Sequence, residues 1–548
     1  MRSEDPKVVI GAALGECVHV AGVMRFLELA ELAGWKTIFL GPATPVERVI
    51  EAINQEGASL VGVSYRLTPE TGERLLADFA EQADSLHARG VRFAFGGIPA
   101  LAAKVRRMGF FERVFEGGEP AETILAYLKG SEVEKGNIQY PQSLVERIRW
   151  KQPFPVFRHH FGLPTMEATI KGVEKIADAC VLDVISLGID QDAQENFFHP
   201  ERQNPRRKGA GGVPVRSRQE YLDIYQASRR GNFPLLRTYS GTDDFIRLAE
   251  MYVETIKNAW CAIPLFWFNQ MDGRGPWRLR ESIAQHQAVM QWYGDKEIPV
   301  ELNEPHHWGM RDAPDVIFVT SGFLSAYNAK QFGVRDYIAQ MMFNSPAGTS
   351  PMMDLAKMQA ILELIEPLSG PDFRIWKQTR TGLLSYPLDP AEAQAHLAIT
   401  VHTQMNLKPE IVHIVGHTEA DHAAEPEDVI VACKIARWAI QSSMRTDRNV
   451  MEDAVVRSRV DELKFESLIT LEKIKSLAPD GIDDPWIDPV TLERAVTSGV
   501  LDAPHLKNNA YARGHISTKI DRRGACVTID LENGKVLDEK SRLRRIRQ

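Results

Sequence analysis

The stretch that decides the fold of the N-terminal region reads Val8-Val9-Ile10-Gly11-Ala12-Ala13-Leu14 and continues after Gly15 as Glu16-Cys17-Val18-His19-Val20-Ala21-Gly22. The first part is an apolar run with the length of a buried parallel strand. The second part places a histidine in the loop at the carboxyl end of that strand. In a flavodoxin-like domain, a side chain at this position can reach a large ligand.

The His-x-x-Gly spacing is uninformative without its context. It occurs five times, at His19, His87, His159, His306 and His413, and about one occurrence is expected by chance for a motif this short. A lone loop histidine is usually an ordinary surface residue. The surrounding elements must therefore decide whether His19 has a function.

The first 130 residues alternate short apolar runs with amphipathic stretches. The predicted strands are 7–14, 36–40, 59–64, 91–95 and 113–115. The predicted helices are 23–33, 45–56, 69–88, 99–107 and 120–128. This alternation predicts an α/β domain of Rossmann-like, flavodoxin-like type, with a parallel sheet that binds its ligand beyond the carboxyl ends of the strands.

Small residues follow those strands. Strand three ends at Ser64 and leads to Leu67, strand four ends at Gly96-Gly97, and strand five leads to Gly117-Gly118. Their lack of bulk predicts an open trough at one edge of the sheet, where a nucleotide-like tail can approach backbone amides.

These residues resemble the cobalamin-binding domain of methionine synthase and the adenosylcobalamin mutases, whose pattern is Asp-x-His-x-x-Gly, Ser-x-Leu and Gly-Gly. The chain has His19 with Gly22, Ser64 with Leu67 one residue further than usual, and Gly96-Gly97. The resemblance implies histidine-on binding, with His19 as the cobalt ligand and the displaced cofactor tail in the trough.

The sequence departs from this pattern at Cys17, which stands where the family has the aspartate that supports the ligand histidine. A thiol hydrogen-bonds weakly, so this support should be weaker. Glu16 is an alternative partner, although an extended segment would direct its side chain to the opposite face. Cys17 can equally be a small buried residue.

The remaining chain is predicted as a linker over 131–165, a (β/α)8 TIM-type barrel over 166–480, and a C-terminal α+β extension over 481–548 that packs on the barrel. The predicted barrel strands are 181–187, 261–268, 298–302, 316–320, 337–342, 396–401 and 411–414, separated by amphipathic stretches such as 278–293 and 353–367. The active site of such a barrel lies at the carboxyl ends of its strands.

Two C-terminal segments, Val490–Pro504 and Arg523–Gly534, are similar to the large subunit of glutamate mutase, as is Ile414-Val-Gly-His417-Thr-Glu419. This resemblance implies an adenosylcobalamin-dependent carbon-skeleton mutase, an isomerase in which Glu419 binds the adenosyl ribose. The lysine that the family has nearby is missing here.

The substrate is expected to be a small carboxylate or amino acid other than glutamate. Residues 344–350 lack the glutamate and tyrosines that the resemblance requires for the amino group. Arg237 and Arg274 are candidates for bidentate carboxylate binding, and ordinary structural roles are equally open for both. His306 and His307 are expected to donate hydrogen bonds to the substrate rather than to hold a second metal. No lysine has a context that suggests pyridoxal phosphate.

Composition is that of a globular protein of several domains: 548 residues, 44% apolar and 25% charged, with a net charge of −8. The spread of basic residues argues against nucleic acid as the main partner, and five scattered cysteines argue against disulfides, structural zinc or iron–sulfur clusters. Without a signal-like or membrane-like segment, a cytoplasmic location is expected. A corrinoid-dependent methyltransferase or a non-catalytic cobalamin-binding protein stays open as an alternative, as does a homodimer.

Overall fold

The computed structural model describes residues 7–119, 121–130, 140–445 and 450–546. Contacts divide the chain into two compact units, Met1–Gln139 and Tyr140–Gln548. No helix in the described part of the chain combines the length and apolar character that crossing a bilayer requires.

The first unit is a parallel sheet with strand order β2-β1-β3-β4-β5, the order of flavodoxin-like folds. Its strands are β1 Val8–Ala13, β2 Lys36–Phe39, β3 Leu60–Tyr65, β4 Arg92–Gly97 and β5 Arg113–Phe115. Its helices are α1 Ala21–Leu32, α2 Val46–Glu56, α3 Pro69–Ala88, α4 Pro99–Met108 and α5 Ala121–Leu128. The predicted elements of this region are confirmed, with described bounds within two residues of the predicted ones.

The second unit contains a parallel barrel. Its strands are β6 Val156–Phe161, β7 Val184–Leu187, β8 Leu235–Arg237, β9 Cys261–Ile263, β10 Val300–Leu302, β11 Asp336–Phe343, β12 Arg374–Thr381 and β13 Ile411–Ile414. They pair in chain order, and β13 returns to β6. Two backbone hydrogen bonds, Ala259 N to Leu236 O at 2.9 Å and Ser240 N to Ala262 O at 3.3 Å, bridge the remaining gap between β8 and β9. The predicted barrel fold is confirmed.

Helices precede, separate and follow these strands. Those up to the last strand are α6 Leu144–Lys151, α7 Met166–Asp178, α8 Gln191–Glu195, α9 Arg218–Ala227, α10 Phe245–Thr255, α11 Leu279–Gly294, α12 Glu304–Gly309, α13 Asp315–Gln331, α14 Pro351–Ile365 and α15 Pro390–Gln404. The later elements are α16 Pro426–Ser443, α17 Ala454–Lys475, α18 Pro489–Thr497, α19 Glu539–Arg544 and the hairpin of β14 Thr518–Ile520 with β15 Cys526–Thr528.

The chain after residue 481 packs on helices of the barrel. Leu492 and Val496 belong to the same buried apolar cluster as Ile317 and Leu324 of α13. A buried carboxylate adds a polar contact, because Asp315 Oδ2 accepts a hydrogen bond from the backbone N of Cys526 at 3.1 Å.

Two predicted barrel strands are wrong. Residues 316–320 lie in α13, whose first twelve residues are all buried, and an apolar run buried on all sides cannot be assigned to helix or strand from periodicity. Residues 396–401 lie in α15. The helix signal there is Asp389, whose side chain accepts from the backbone N–H groups of Ala391 and Glu392 ahead of the first turn.

The predicted linker over 131–165 is also too long. Its later part contains α6 and β6, and β6 pairs with both β7 and β13 in the barrel. The barrel therefore begins before the predicted residue 166. Residues 131–139 of the predicted linker lie outside the described residues.

Candidate cofactor and substrate sites

His19 lies exposed in the loop between β1 and α1. Its Nδ1 atom is 3.9 Å from Sγ of Cys17, which is fully buried and accepts a hydrogen bond from the backbone N of Arg66 at 3.3 Å. The thiol therefore occupies the position predicted for the partner of His19. Glu16 is exposed, and no hydrogen bond joins it to His19 within the described residues.

The sheet of the first unit is packed in the middle of one face and open at its carboxyl edge. A Cβ atom added at Gly62 would lie 2.5 Å from the Phe26 ring of α1. Two residues later, Ser64 is paired with Gly96, and a Cβ atom at Gly96 would meet no atom within 4 Å. The Ser64 Oγ atom is buried without a hydrogen-bond partner in the described chain. An open backbone position beside an unpaired hydroxyl suits a polar ligand that fills the groove.

The other predicted trough residues differ in how much space surrounds them. Added Cβ atoms at Gly22, Gly117 and Gly118 would meet nothing within 4 Å. At Gly97 the added atom would lie 2.6 Å from the Phe95 ring, so this glycine permits close packing rather than access. Leu67 is partly buried against the apolar core of the unit.

In the barrel, the interior carries a layer of charged and amide side chains where such barrels usually hold branched apolar residues. Arg158 of β6 reaches across to Glu301 of β10, with Nη1 to Oε2 at 2.8 Å, and both side chains are 1% exposed. Arg158 also donates to Ser186 Oγ at 2.8 Å and to Gln378 Oε1 at 2.9 Å. Glu301 accepts a further hydrogen bond from Trp260 Nε1 at 2.6 Å.

A second guanidinium in this layer is not satisfied. Arg237 of β8 is fully buried, and none of its three side-chain nitrogens has a hydrogen-bond partner in the described chain. The nearest carboxylate oxygen of Glu301 is 3.9 Å from Nη2. A third guanidinium, Arg380, is 6% exposed, and burial together with Arg158 lowers its pKa. Three guanidiniums around one carboxylate leave the site with surplus positive charge, which favours an anionic ligand.

Two histidines of the barrel interior are held neutral. Burial first, and then Arg158, lower the pKa of His160 and of His413 well below the usual value. Their rings are 4.8 Å apart between centroids. Because arginine can only donate, the contact of 3.3 Å from Arg158 Nη2 makes His160 Nε2 an acceptor, and Tyr239 Oη lies 3.2 Å from the same atom.

His306 and His307 lie side by side on α12, with ring centroids 4.2 Å apart. Burial lowers the pKa of both well below the usual value, with Arg380 the next cause for His306 and His306 the next for His307. Both ring nitrogens of His307 are buried without partners in the described chain. The Glu304 carboxylate holds the start of α12 by accepting from the backbone N–H groups of Leu265 and Phe266, and burial raises its pKa to about 7.

Residues 7–126 match the family model of the B12 binding domain. The first unit is a B12-binding domain. Cobalamin is therefore the ligand of this part of the chain, and the open groove at Ser64 and Gly96 fits a cofactor with a large polar tail. The search of curated proteins gave no match.

Two solved structures show low similarity. One is a novel cobalamin-binding protein from Desulfitobacterium hafniense DCB-2, 19% identical over 20% of this chain and 53% of that chain, with a TM-score of 0.19. The other is the apo form of OxsB, a cobalamin-dependent S-adenosylmethionine radical enzyme, 12% identical over 80% of this chain and 56% of that chain, with a TM-score of 0.18. The chain covers just over half the length of either structure, and these TM-scores are too low to bear on its fold or function.

Two predicted residues lie in more exposed settings than Arg237. Arg274 is half-exposed and pairs with Asp272, with Nη2 to Oδ2 at 2.6 Å, so its charge is already compensated. Glu419 is exposed in the segment after β13, and its carboxylate has no hydrogen-bond partner among the described residues. Within the described ranges, no group of three or more His, Cys, Asp or Glu side chains is placed to hold a metal ion.

Several site residues were missed. Those on β6 and β12, and Tyr239 just after β8, belong to strands that were not predicted, whereas the others lie on predicted strands whose polar residues were not singled out. The missed residues are Arg158, His160, Ser186, Tyr239, Glu301, Gln340, Gln378, Arg380 and His413. A signal exists in retrospect, since alternate residues of a barrel strand face the interior. Polar residues recur at that spacing in Arg158-His-His160 and Gln378-Thr-Arg380.

Proposed function

We propose that this chain is an adenosylcobalamin-dependent isomerase of the carbon-skeleton mutase type, acting on a small carboxylate other than glutamate. The observation that supports it is Arg237, a buried guanidinium without hydrogen-bond partners inside a barrel whose chain also carries a B12-binding domain. A buried guanidinium whose N–H groups make no hydrogen bonds is costly unless a ligand accepts them. An anionic substrate is that ligand.

In this proposal the first unit holds the cofactor. His19 is the cobalt ligand, Cys17 is its weak partner, and Ser64 with Gly96 accommodates the cofactor tail. Adenosylcobalamin, when bound, supplies the radical chemistry that exchanges a substrate hydrogen with a neighbouring group. Because both units belong to one chain, the cofactor and the substrate site are present at a high effective concentration.

The barrel residues bind and orient the substrate. Arg158 is already satisfied by Glu301, Ser186 and Gln378, which fixes its position but leaves little capacity for a ligand. Arg237 and Arg380 have donors to spare and are therefore the residues proposed to hold the carboxylate. The neutral histidines offer hydrogen bonds without adding charge, and the buried setting excludes water from the reacting groups.

The deciding experiment is anaerobic incubation of the full chain with adenosylcobalamin and a panel of short carboxylic and amino acids. Electron paramagnetic resonance should show a cob(II)alamin–radical signal that depends on the substrate, and product analysis should show an isomer of that substrate. Turnover of methylcobalamin with a methyl acceptor, in the absence of an isomer, would instead support the methyltransferase alternative. Cobalamin binding without either reaction would support a non-catalytic protein.

A further inference from the structure

A directional relay of hydrogen bonds runs through the barrel interior to His306. Arg158 Nη1 donates to Gln378 Oε1 at 2.9 Å, Gln378 Nε2 donates to Gln340 Oε1 at 3.0 Å, and Gln340 Nε2 lies 2.7 Å from His306 Nδ1. All four side chains are buried.

The direction of this relay follows from its first member. A guanidinium has only donors, so Gln378 must turn its carbonyl oxygen to Arg158 and its amino group to Gln340. Gln340 must then accept at its own oxygen and donate from its amino group to His306. Salt-bridge contact with Glu301 holds Arg158 in place at the start of the relay.

The relay fixes where the proton of His306 lies. Because Nδ1 accepts, a neutral ring must carry its proton on Nε2, and burial together with Arg380 and Arg274 favours the neutral ring. Nε2 has no hydrogen-bond partner within the described residues, and His306 keeps 4% of its accessibility. The relay therefore ends in a free, oriented N–H donor.

We propose that Gln378 and Gln340 are positioning residues that make His306 donate from Nε2 to an acceptor oxygen of the substrate. This inference rests on the proposed function for the identity of that substrate. His160 has the opposite role, since Arg158 makes its Nε2 an acceptor. One guanidinium thus sets one donor and one acceptor among the histidines of the barrel interior.

The proton position can be measured without any substrate. Nitrogen-15 histidine spectra of the full chain should show His306 as the Nε2–H tautomer, with its resonances identified by their loss in His306→Asn. Gln340→Glu replaces the donating amide by an acceptor of the same size, which should place a proton on Nδ1. Gln378→Glu removes the donor to Gln340 while keeping an acceptor for Arg158, now as a carboxylate, and should also weaken the tautomer preference. The exposed Gln226→Glu in α9 is the matched control and should leave the His306 spectrum unchanged.

The donor role is tested by kinetics and by ligand binding. With the substrate found in the panel, Gln340→Met should raise KM about 10-fold or more, because a substrate hydrogen bond of about 1.5 kcal/mol is no longer oriented. Gln226→Glu should leave KM unchanged. If no isomerase activity is found, titration with succinate still tests the donor, since binding should shift the His306 Nε2 resonance in the wild type but not in Gln340→Met.

Two results would overturn the inference. A wild-type His306 with its proton on Nδ1 would show that the relay does not run in this direction. The second result concerns a variant whose spectrum proves that the His306 tautomer has changed. If its KM or its response to succinate is unchanged, Nε2–H does not contact the substrate. Failure of the proposed function alone affects neither the spectra nor the succinate titration.

Discussion

Arg158 and Glu301 form an ion pair across the interior of the barrel, with Nη1 and Oε2 2.8 Å apart and both side chains almost fully buried. The pair links β6 to β10, two strands on opposite sides of the sheet order. Arg158 also donates to Gln378, where the relay to His306 begins, and contacts His160 Nε2. Both the stability of the barrel and the binding of an anionic ligand should therefore depend on this pair.

Replacing Glu301 by glutamine should destabilise the barrel by about 3–5 kcal/mol, because the Arg158 and Arg237 charges would lose their buried counter-charge. Urea unfolding followed by tryptophan fluorescence measures this, since all tryptophans except Trp35 lie beyond residue 139. The exposed pair Arg218–Glu254 provides the control. Glu254→Gln should cost less than about 1 kcal/mol, and an equal loss in both variants would contradict the burial argument.

Arg237→Met should have the opposite effect on stability. Removing an unsatisfied buried charge should leave the urea midpoint unchanged or raise stability by about 1–4 kcal/mol, while succinate binding in calorimetry should weaken about 10-fold or more. The exposed Arg247→Met, which loses a surface pair with Asp244 and a ring contact with Phe198, should leave succinate binding unchanged and cost less than about 1 kcal/mol of stability. A destabilised Arg237→Met that still binds succinate would show that the guanidinium serves the fold.

The sequence was sufficient for the first unit because its strands are continuous apolar runs bounded by clear helix starts. In the barrel, the search for continuous apolar runs missed the strands whose inward-facing residues are polar. Strands β6 and β12 carry Arg158, His160, Gln378 and Arg380 at alternate positions, so they do not read as apolar runs. Conversely, the apolar run at 316–320 is a helix buried on all sides.

The residues of the candidate site were likewise only partly predictable from the sequence. Arg237 was predicted as a candidate for bidentate carboxylate binding, and the structure places it inside the barrel on β8, a strand that was not predicted. Its lack of partners could not be predicted, because that depends on side chains from strands far apart in the sequence. The relay from Arg158 to His306 joins residues up to 220 positions apart and has no local sequence signal.

Stability should fall as the pH is lowered from about 6.5 to 4. Burial lowers the folded-state pKa of His286 to about 4, so between these values the unfolded chain binds the extra proton. Each such histidine contributes about 1.4 kcal/mol per pH unit over that range. His286→Gln should therefore reduce the slope of unfolding free energy against pH, whereas the exposed His402→Gln should not. An unchanged slope in His286→Gln would mean that this ring is already protonated in the folded protein.

Cobalamin binding should depend strongly on His19 and weakly on Cys17. His19→Ala should lose the histidine-on visible spectrum and the nitrogen splitting in the resonance of the reduced, cobalt(II) form. A thiol 3.9 Å from the ring supports it less than a carboxylate would, so Cys17→Ala should change affinity by less than about 10-fold, the lower limit typical of such partners. An unchanged spectrum in His19→Ala would falsify the assignment of the cobalt ligand.

Two glycine substitutions on neighbouring strands test whether the groove of the first unit binds the cofactor tail. Gly96 of β4 pairs with Ser64 of β3, which lies two residues after Gly62. Gly96→Val places its side chain in open space on an extended strand, so folding should be preserved while cobalamin affinity falls sharply. Gly62→Ala drives a methyl group into the Phe26 ring, so it should cost about 1–3 kcal/mol of stability. Urea unfolding and cobalamin titration of both variants separate the two effects. Gly62 is covered by α1, whereas Gly96 lies in the open groove. The Gly62→Ala protein that remains folded should therefore bind cobalamin normally. Normal binding by Gly96→Val would show that the cofactor tail does not lie in this groove.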